Sequence, residues 1–328
     1  MKKWLKRLAI LLLAFFIILN YLAFRHSRTF FFYSDGGKRT PAPEELTFKQ
    51  KINVMITGIH VPKPKAHSSP HEHGMPFVKI TIPGRNQIPL SAWKIPGSSD
   101  TEVLVIMFHG YSSEKSGLLT EAQIFHELGY MLLMVDFPGS GGTPGNKTTL
   151  GIKESEDVAA VLAWARSVWP KHQIVLYGHS MGAAAIMRSV AVHEIHPDAV
   201  IIESAFDTLL NAIRLRFHLM NIPSFPAAEI LLFWGSVQLG ANGFSHDVRM
   251  YARNVNVPVF MIHGMHDNRA SLQGANDVFS QLKGDRELMV MEKAGHVSPC
   301  TDDREKWKNG VRTFIQDQSG SQRDKNTP

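Results

Sequence analysis

The pentapeptide Gly178-His179-Ser180-Met181-Gly182 is the most informative segment of this chain for predicting its fold. It follows an apolar run, Ile174–Tyr177, and precedes three small residues, Ala183-Ala184-Ala185, so the pentapeptide stands at a strand-to-helix turn. Its two glycines let neighbouring backbone approach closely, while the turn holds the serine hydroxyl above the end of a sheet. The pattern predicts that Ser180 is a nucleophile, and the alternative is a structural serine in a turn.

Apolar runs and amphipathic stretches alternate on both sides of this turn. Val103–Phe108 is continuously apolar, as expected for a strand covered on both faces, and similar runs follow at 131–135, 174–177, 199–202, 258–262 and 287–291. Stretches of helical length lie near 117–128, 153–168, 181–193, 271–282 and 303–316. Alternating residues at 51–57, 77–82 and 89–94 predict an antiparallel opening. The fold class predicted is α/β, with a mostly parallel sheet flanked by helices.

A serine nucleophile needs a base, and the base needs an acid that orients it. His296 stands in the turn that follows the last predicted strand, at a position that suits the chain order Ser, Asp, His. Asp267 ends the loop after the strand at 258–262 and is the predicted acid. Glu203 and Asp207 end the preceding strand and remain alternatives. Two further carboxylates follow the histidine and have the wrong order, Asp302 and Asp303.

Attack by the serine creates an oxyanion, which requires preorganised donors worth about 3 kcal/mol each. The amide of Met181, directly after the nucleophile, is one predicted donor. The second is expected from the turn His109-Gly110-Tyr111, which follows the strand at 103–108. We assign it to the amide of Tyr111, with Gly110 as the alternative. His109 is expected to shape this turn rather than to act as a second base.

Taken together, these segments resemble the serine-hydrolase branch of the α/β-hydrolase superfamily across roughly residues 77–316. The shared motifs are the HG turn at 109–110, the stretch Asp136-Phe-Pro-Gly-Ser-Gly-Gly-Thr143, the GHSMG turn, and the G-x-x-D and GH loops that hold Asp267 and His296. Within the superfamily the chain is similar to lysophospholipase-like, monoglyceride-lipase-like and serine aminopeptidase-like members. Such relatives usually carry an arginine before the first glycine of the second motif, where this chain has Pro138.

Residues Leu8 to Phe24 form a 17-residue run without a charge. As a helix this run would be about 25 Å long, slightly short of a hydrocarbon core of ~30 Å. Lys6, Arg7 and Arg25 can snorkel to cover the difference. The run predicts an uncleaved membrane anchor over residues 1–27. A cleaved signal peptide is the alternative, for which Tyr21-Leu22-Ala23 offers a poor cleavage site.

The rest of the chain is predicted to consist of a linker (28–48), an α/β-hydrolase domain (49–318) and a flexible polar tail (319–328). Residues 207–252 are rich in large apolar groups and are expected to be a helical cap insertion, with ordinary crossover helices as the alternative. Basic residues concentrate before the apolar run, which predicts a cytoplasmic N-terminus and a catalytic domain on the periplasmic or luminal side.

Composition excludes several classes of function. The net charge of +6 comes from the ends, because residues 41–320 carry 25 basic and 27 acidic residues, so no nucleic-acid partner is expected. With Cys300 as the single cysteine, the chain cannot form an internal disulfide or a cysteine metal cluster. The histidines at 67, 71 and 73 could bind a metal, but nothing completes a ligand set, and a solvated loop is expected.

The sequence therefore predicts a membrane-anchored serine hydrolase that cleaves carboxylic esters, with apolar or lipid-like acyl substrates, and that needs no cofactor or metal. Peptidase, amidase or thioesterase activity on the same three residues is the alternative within the enzyme class. A catalytically inactive scaffold on the same fold is the alternative from another class. The physiological substrate and the oligomeric state stay open.

Overall fold

The computed structural model describes residues 2–98 and 102–325. The strands are β1 Val78–Pro83, β2 Pro89–Ile95, β3 Val103–Phe108, β4 Met131–Val135, β5 Gln173–His179, β6 Ala199–Glu203, β7 Val259–Gly264 and β8 Arg286–Met291. The helices are α1 Lys2–Phe31, α2 Phe48–Thr57, α3 Leu119–Glu127, α4 Glu154–Val168, α5 Met181–Val192, α6 Leu209–Leu219, α7 Ala227–Leu239, α8 Val248–Ala252, α9 Leu272–Gln281 and α10 Arg304–Lys325.

The strands form one sheet in the order β1-β2-β4-β3-β5-β6-β7-β8. β1 pairs with β2, and β2 with β4, in antiparallel fashion, and all the other pairs are parallel. The central strands β3 to β7 are almost wholly buried, as their continuous apolar sequences require. The predicted fold class is confirmed, and the parallel register brings the carboxyl ends of β5 to β8 to one edge of the sheet.

The chain divides into two compact units. The sheet unit comprises residues 63–208 together with 247 onward, and it contains strands β1 to β8. The helical unit comprises residues 1–62 and 209–246, and it contains α1, α2, α6 and α7. The sequence between 207 and 252, predicted as a cap insertion, thus folds mainly as two helices that belong with the N-terminal segment.

Within the helical unit, the two halves of α1 differ in how far their residues are buried. Residues 3–18 are exposed throughout, whereas Ala23, Ser27 and Phe31, one turn apart, are buried. In this second half α1 packs against α7: the indole of Trp234 donates to Asn20 Oδ1 (3.0 Å), and a Cβ added to Gly235 would meet the ring of Phe31. A glycine at position 235 therefore leaves room for the ring of Phe31.

The segment 51–57, predicted as a strand, is helix α2. Ile52, Val54 and Ile56 alternate as in a strand, but Phe48, Ile52, Met55 and Ile56 also recur at helical spacing, so the apolar pattern fits both periods. The residues at the two ends of the segment favour the helix over the strand. Thr47 Oγ1 accepts from the Gln50 amide while Gln50 Oε1 accepts from the Thr47 amide, and Gly58 ends the helix at φ +85°.

The backbone at the C-terminus is helical as far as Lys325, and the flexibility predicted for the tail stays a prediction. Gln, Arg and Lys are good helix formers, and extending an existing helix costs far less than starting one. Residues 326–328 of that predicted tail lie outside the described part of the chain.

Candidate active site

Ser180 lies at a sharp turn between β5 and α5, with φ +51° and ψ −109°. A non-glycine residue in this region is strained, typically by 1–3 kcal/mol, and persists only when its surroundings hold it. Its amide donates to the carbonyl of Glu203 on the neighbouring strand (2.8 Å). A Cβ at Gly182 would lie 2.2 Å from the Phe108 carbonyl oxygen, so only glycine lets α5 pack this closely on β3.

His296 lies in the loop after β8 and its ring bridges two side chains. Its Nε2 is 3.1 Å from Ser180 Oγ, and its Nδ1 is 2.8 Å from Asp267 Oδ2. The three side chains come from the loops after β5, β7 and β8. The structure therefore brings together all three residues that the sequence singled out as nucleophile, base and acid.

Asp267 is oriented by the backbone of its own loop. Its Oδ1 accepts hydrogen bonds from the amides of Arg269 and Ala270, both at 2.8 Å, which leaves Oδ2 for His296. Burial by itself would raise the pKa of Asp267. The hydrogen bond and charge of His296, together with the two amides, outweigh burial and hold that pKa below its ordinary value. The carboxylate is thus charged where it meets the imidazole.

The alternative acids are engaged elsewhere. Glu203 accepts from the Tyr177 hydroxyl (3.1 Å) and the Trp307 indole (2.8 Å). Burial first, and the neighbouring Glu121 second, raise the pKa of Glu203 to about 8, so that it is protonated at neutral pH. The side chain of Asp207 lies against Gly274 of α9. Of the two carboxylates that follow His296 in the chain, Asp302 accepts from the backbone amide of residue 293 and Asp303 from that of residue 306.

His179, the residue before the nucleophile, fixes the loop that carries His296. Its Nε2 lies 2.9 Å from the carbonyl oxygen of His296, to which it donates, and the two rings are 5.4 Å apart. Burial lowers the pKa of His179 to about 4, so the ring is neutral and serves as a hydrogen-bond donor. Nothing in the sequence indicated a role for His179 beyond its place in the pentapeptide.

The turn His109–Tyr111 lies beside the nucleophile, because a Cβ added to Gly110 would fall 3.5 Å from Ser180 Cβ. His109 is buried and shapes this turn: its Nε2 accepts from the Phe137 amide (3.1 Å), and its Nδ1 donates to the Gly110 carbonyl (2.9 Å). Both nitrogens are occupied, so His109 is not available as a second base. The assignment of the oxyanion donors to Tyr111 and Met181 stays a prediction.

Lys115 is a residue of this region that the sequence did not reveal. Its side chain is buried, forms an ion pair with the buried Asp136 and lies over the ring of Trp93 (4.6 Å). The Lys115 amide also donates to Asp136 Oδ1 (2.9 Å), and Gly142 donates to Oδ2 (2.9 Å). Lys115 thus supplies the cation that pairs with the carboxylate of this loop. No local pattern marks a lysine that pairs with a carboxylate 21 positions away.

The histidine-rich loop contains ordinary hydrogen bonds. His67 Nδ1 lies 3.1 Å from Ser116 Oγ, and His73 Nε2 lies 3.3 Å from Ser68 Oγ. In residues 2–98 and 102–325, no group of three His, Cys, Asp or Glu side chains could hold a metal ion.

Parts of the chain and its fold are similar to those of known proteins. A model of the serine aminopeptidase family S33 matches residues 99–222. The structure is similar to that of the esterase Pf2001 from Pyrococcus furiosus, with a TM-score of 0.66 and 23% identity, covering 78% of this chain and 96% of that one. At this identity the likeness establishes the fold.

Two curated relatives are also similar in sequence. An uncharacterized membrane protein of Saccharomyces cerevisiae is 24% identical over 153 residues, which are 47% of this chain and 54% of that protein. The lysophosphatidylserine lipase ABHD12 of Mus musculus is 22% identical over 180 residues, 53% of this chain and 44% of that protein. The sheet order, the strained serine turn and the likeness to the esterase structure show that the chain has an α/β-hydrolase-like fold.

Proposed function

We propose that the protein is a membrane-anchored serine hydrolase that cleaves carboxylic esters through Ser180, His296 and Asp267. One observation carries the proposal: the imidazole of His296 is within hydrogen-bond distance of both the Ser180 hydroxyl and the Asp267 carboxylate. A weak nucleophile, a base and an orienting acid are the minimum that acyl transfer by serine requires.

In the first half-reaction His296 Nε2 takes the proton of Ser180 as Oγ attacks the ester carbonyl carbon. Asp267 accepts from Nδ1, which keeps Nε2 free to receive that proton and stabilises the imidazolium that forms. The imidazolium then gives its proton to the leaving alkoxide, and an acyl-enzyme remains. In the second half-reaction water attacks the acyl carbon, with His296 again as base, and releases the acid.

The negative oxygen of each tetrahedral intermediate needs donors close to Ser180. The amide of Met181 stands in the first turn of α5, where amides have no partner in the helix itself. The amide of Tyr111 belongs to the turn beside the nucleophile. Both are proposed as oxyanion donors, and the positive end of α5 adds to their effect.

Esters with apolar acyl chains are the proposed substrate class. The similar solved structure is named as an esterase and a similar curated protein as a lysophosphatidylserine lipase, which supports ester cleavage. The apolar residues between 207 and 252 and the N-terminal helix favour lipid-like molecules. The alternatives are amide and thioester substrates. The matching family model is described as serine aminopeptidase, which favours testing amides.

A membrane anchor is supported by α1, of which residues 3–31 are long and apolar enough to cross a bilayer and include an 18-residue window with a mean hydropathy of 2.3. Asn20, the one strongly polar residue of the apolar run, donates to the Phe16 carbonyl and accepts from Trp234, so its burial in lipid would leave its Oδ1 and Nδ2 bonded. A similar yeast protein is named as a membrane protein. We propose that the sheet unit lies on the periplasmic or luminal side.

A fluorophosphonate probe tests the nucleophile. Wild type should be labelled, Ser180→Ala should not, and Ser280→Ala, which removes an exposed serine on α9, should be labelled like wild type. Equal labelling of wild type and Ser180→Ala would remove Ser180 from the mechanism. Lack of labelling in a folded wild type would favour the non-catalytic scaffold.

The leaving group is tested with one acyl chain presented as an ester, a thioester and an anilide. We expect kcat/KM for the ester to exceed that for the anilide at least a hundredfold, and the reverse order would establish an amidase.

The orientation of the protein in the membrane is tested by protease protection in sealed spheroplasts or vesicles. Digestion of the sheet unit only after the cytoplasmic side is opened would contradict the proposed side.

A further inference from the structure

Helix α2 carries an exposed apolar stripe. Phe48, Ile52, Met55 and Ile56 are between 44% and 78% exposed in the described structure. At about 100° per residue these four positions share one face of the helix. Val54, on another face, is buried. The apolar residues of α2 are therefore divided between one that is buried and four that stay exposed.

Two basic residues border this stripe. Lys49 and Lys51 lie on its two sides around the helix circumference, and Lys49 is exposed while Lys51 is half-buried. α2 contains no acidic residue. An apolar face flanked by lysines is the signature of a helix that lies in the plane of a membrane interface, where the ammonium groups meet anionic headgroups.

The contact between α2 and α1 determines how deep α2 would lie in the membrane. Gly58, at the end of α2, lies against α1, since a Cβ added there would be 2.7 Å from Thr29 Oγ1. Thr29 is five residues beyond Phe24, the end of the apolar run, and thus about 7.5 Å farther along the helix axis. The headgroup layer on each side of a hydrocarbon core is about 5–7.5 Å thick. If the apolar run spans the core, the end of α2 lies at the level of the headgroups.

We propose that the stripe of Phe48, Ile52, Met55 and Ile56 is a second membrane contact, seated in the headgroup layer of an anionic bilayer where α1 leaves it. The inference rests on the proposed membrane anchor, because the depth of α2 is measured from α1. α1 holds the protein in the bilayer, and the stripe together with Lys49 and Lys51 holds the helical unit against its surface.

The test uses the full-length protein in vesicles of phosphatidylcholine and phosphatidylglycerol. Single cysteines at Ile52→Cys, Asn53→Cys and Leu12→Cys are coupled to an environment-sensitive maleimide fluorophore. Wild type serves as the blank, because Cys300 is buried. Asn53 is the matched control, since it is an exposed neighbour of Ile52 outside the stripe. Lipids that carry a quencher near the headgroup or near the acyl-chain end report the depth of each probe.

We expect the shallow quencher to act at least three times more strongly on the probe at residue 52 than on that at 53, and the deep quencher to act on residue 12. Two changes should each weaken quenching at residue 52 and leave quenching at residue 12 unchanged. The first replaces phosphatidylglycerol with phosphatidylcholine, and the second is the double substitution Lys49→Glu and Lys51→Glu. Equal quenching at 52 and 53, or none at either, with strong quenching at 12 would overturn the inference and leave the anchor intact. Absence of quenching at 12 would overturn the anchor itself.

Discussion

Replacing Asp267 by asparagine is expected to abolish most of the activity by reversing one hydrogen bond. In the wild type Asp267 Oδ1 accepts from two backbone amides, and Oδ2 faces His296 Nδ1. An asparagine can satisfy the same amides only with its carbonyl oxygen, so its NH₂ group must point at Nδ1. Nδ1 then accepts instead of donating, and the imidazole proton moves to Nε2.

A proton on Nε2 blocks the base where it should receive the proton of Ser180. The same exchange of aspartate for asparagine in an unrelated serine protease, with its geometry intact, lowers kcat about 10⁴-fold. Each factor of ten is 1.36 kcal/mol, so the expected loss of transition-state stabilisation is about 5 kcal/mol. Because the two backbone hydrogen bonds are kept, the variant is expected to remain folded.

The assay is hydrolysis of a short-chain p-nitrophenyl ester at neutral pH by wild type and Asp267→Asn, with thermal unfolding measured on the same samples. Glu203→Gln is the control, since it alters a buried carboxyl group that touches Tyr177 and Trp307 rather than His296. We expect less than a tenfold change from it. A folded Asp267→Asn variant that keeps more than a tenth of wild-type kcat would refute the assigned acid, as would a collapse of turnover in the folded Glu203 variant alone.

Three further predictions concern the framework of the site. Gly182→Ala introduces a Cβ that would lie 2.2 Å from a β3 carbonyl oxygen and should lower the free energy of unfolding by about 1–3 kcal/mol, measured by urea denaturation; an unchanged midpoint would contradict the close packing. Lys115→Met leaves the buried carboxylate of Asp136 without its cation and should cost about 3–5 kcal/mol, most of which the added change Asp136→Asn should restore; equal stability of single and double variants would refute the ion pair. Unfolded histidine binds a proton near pH 6.5 while folded His179 does so only near pH 4, so stability falls as the pH drops between these values; His179→Gln should remove on the order of 2 kcal/mol of that loss in pH-dependent thermal unfolding, and an unaltered acid limb would contradict it.

The structural elements that could be predicted from the sequence are those in which a single physical requirement determines the residue type. A strand buried on both faces must be apolar along its whole length, so β3, β5 and β7 could be located from sequence within one or two residues. The serine turn needs glycine at a fixed position, because backbone approaches there, and this requirement is visible in the sequence. Chain order then restricted the partners of Ser180 to a few loops.

The parts that could not be predicted depend on residues far apart in sequence or on the ends of an element. The apolar pattern of α2 fits a strand and a helix equally well, and the decision came from Thr47 and Gln50, which a pattern of apolar residues does not include. The pairing of Lys115 with Asp136 depends on how two loops lie in space. The neutral state of Glu203 likewise depends on burial and on Glu121, which precedes it by 82 positions.

The distance between the hydroxyl and the imidazole is set by backbone contacts more than by the three side chains that use it. The sheet register pairs His179 with Glu203 and Gly264 with Met291, which aligns the ends of the strands. The His266 amide then donates to the Ala294 carbonyl (2.9 Å), and this bond ties the acid loop to the loop that carries the base. In the proposed mechanism these bonds do not involve the reacting atoms, so they can hold Ser180 and His296 in place through each proton transfer. A hydroxyl and an imidazole held in this way need little reorganisation at the moment of reaction, which is where a preorganised site gains its rate.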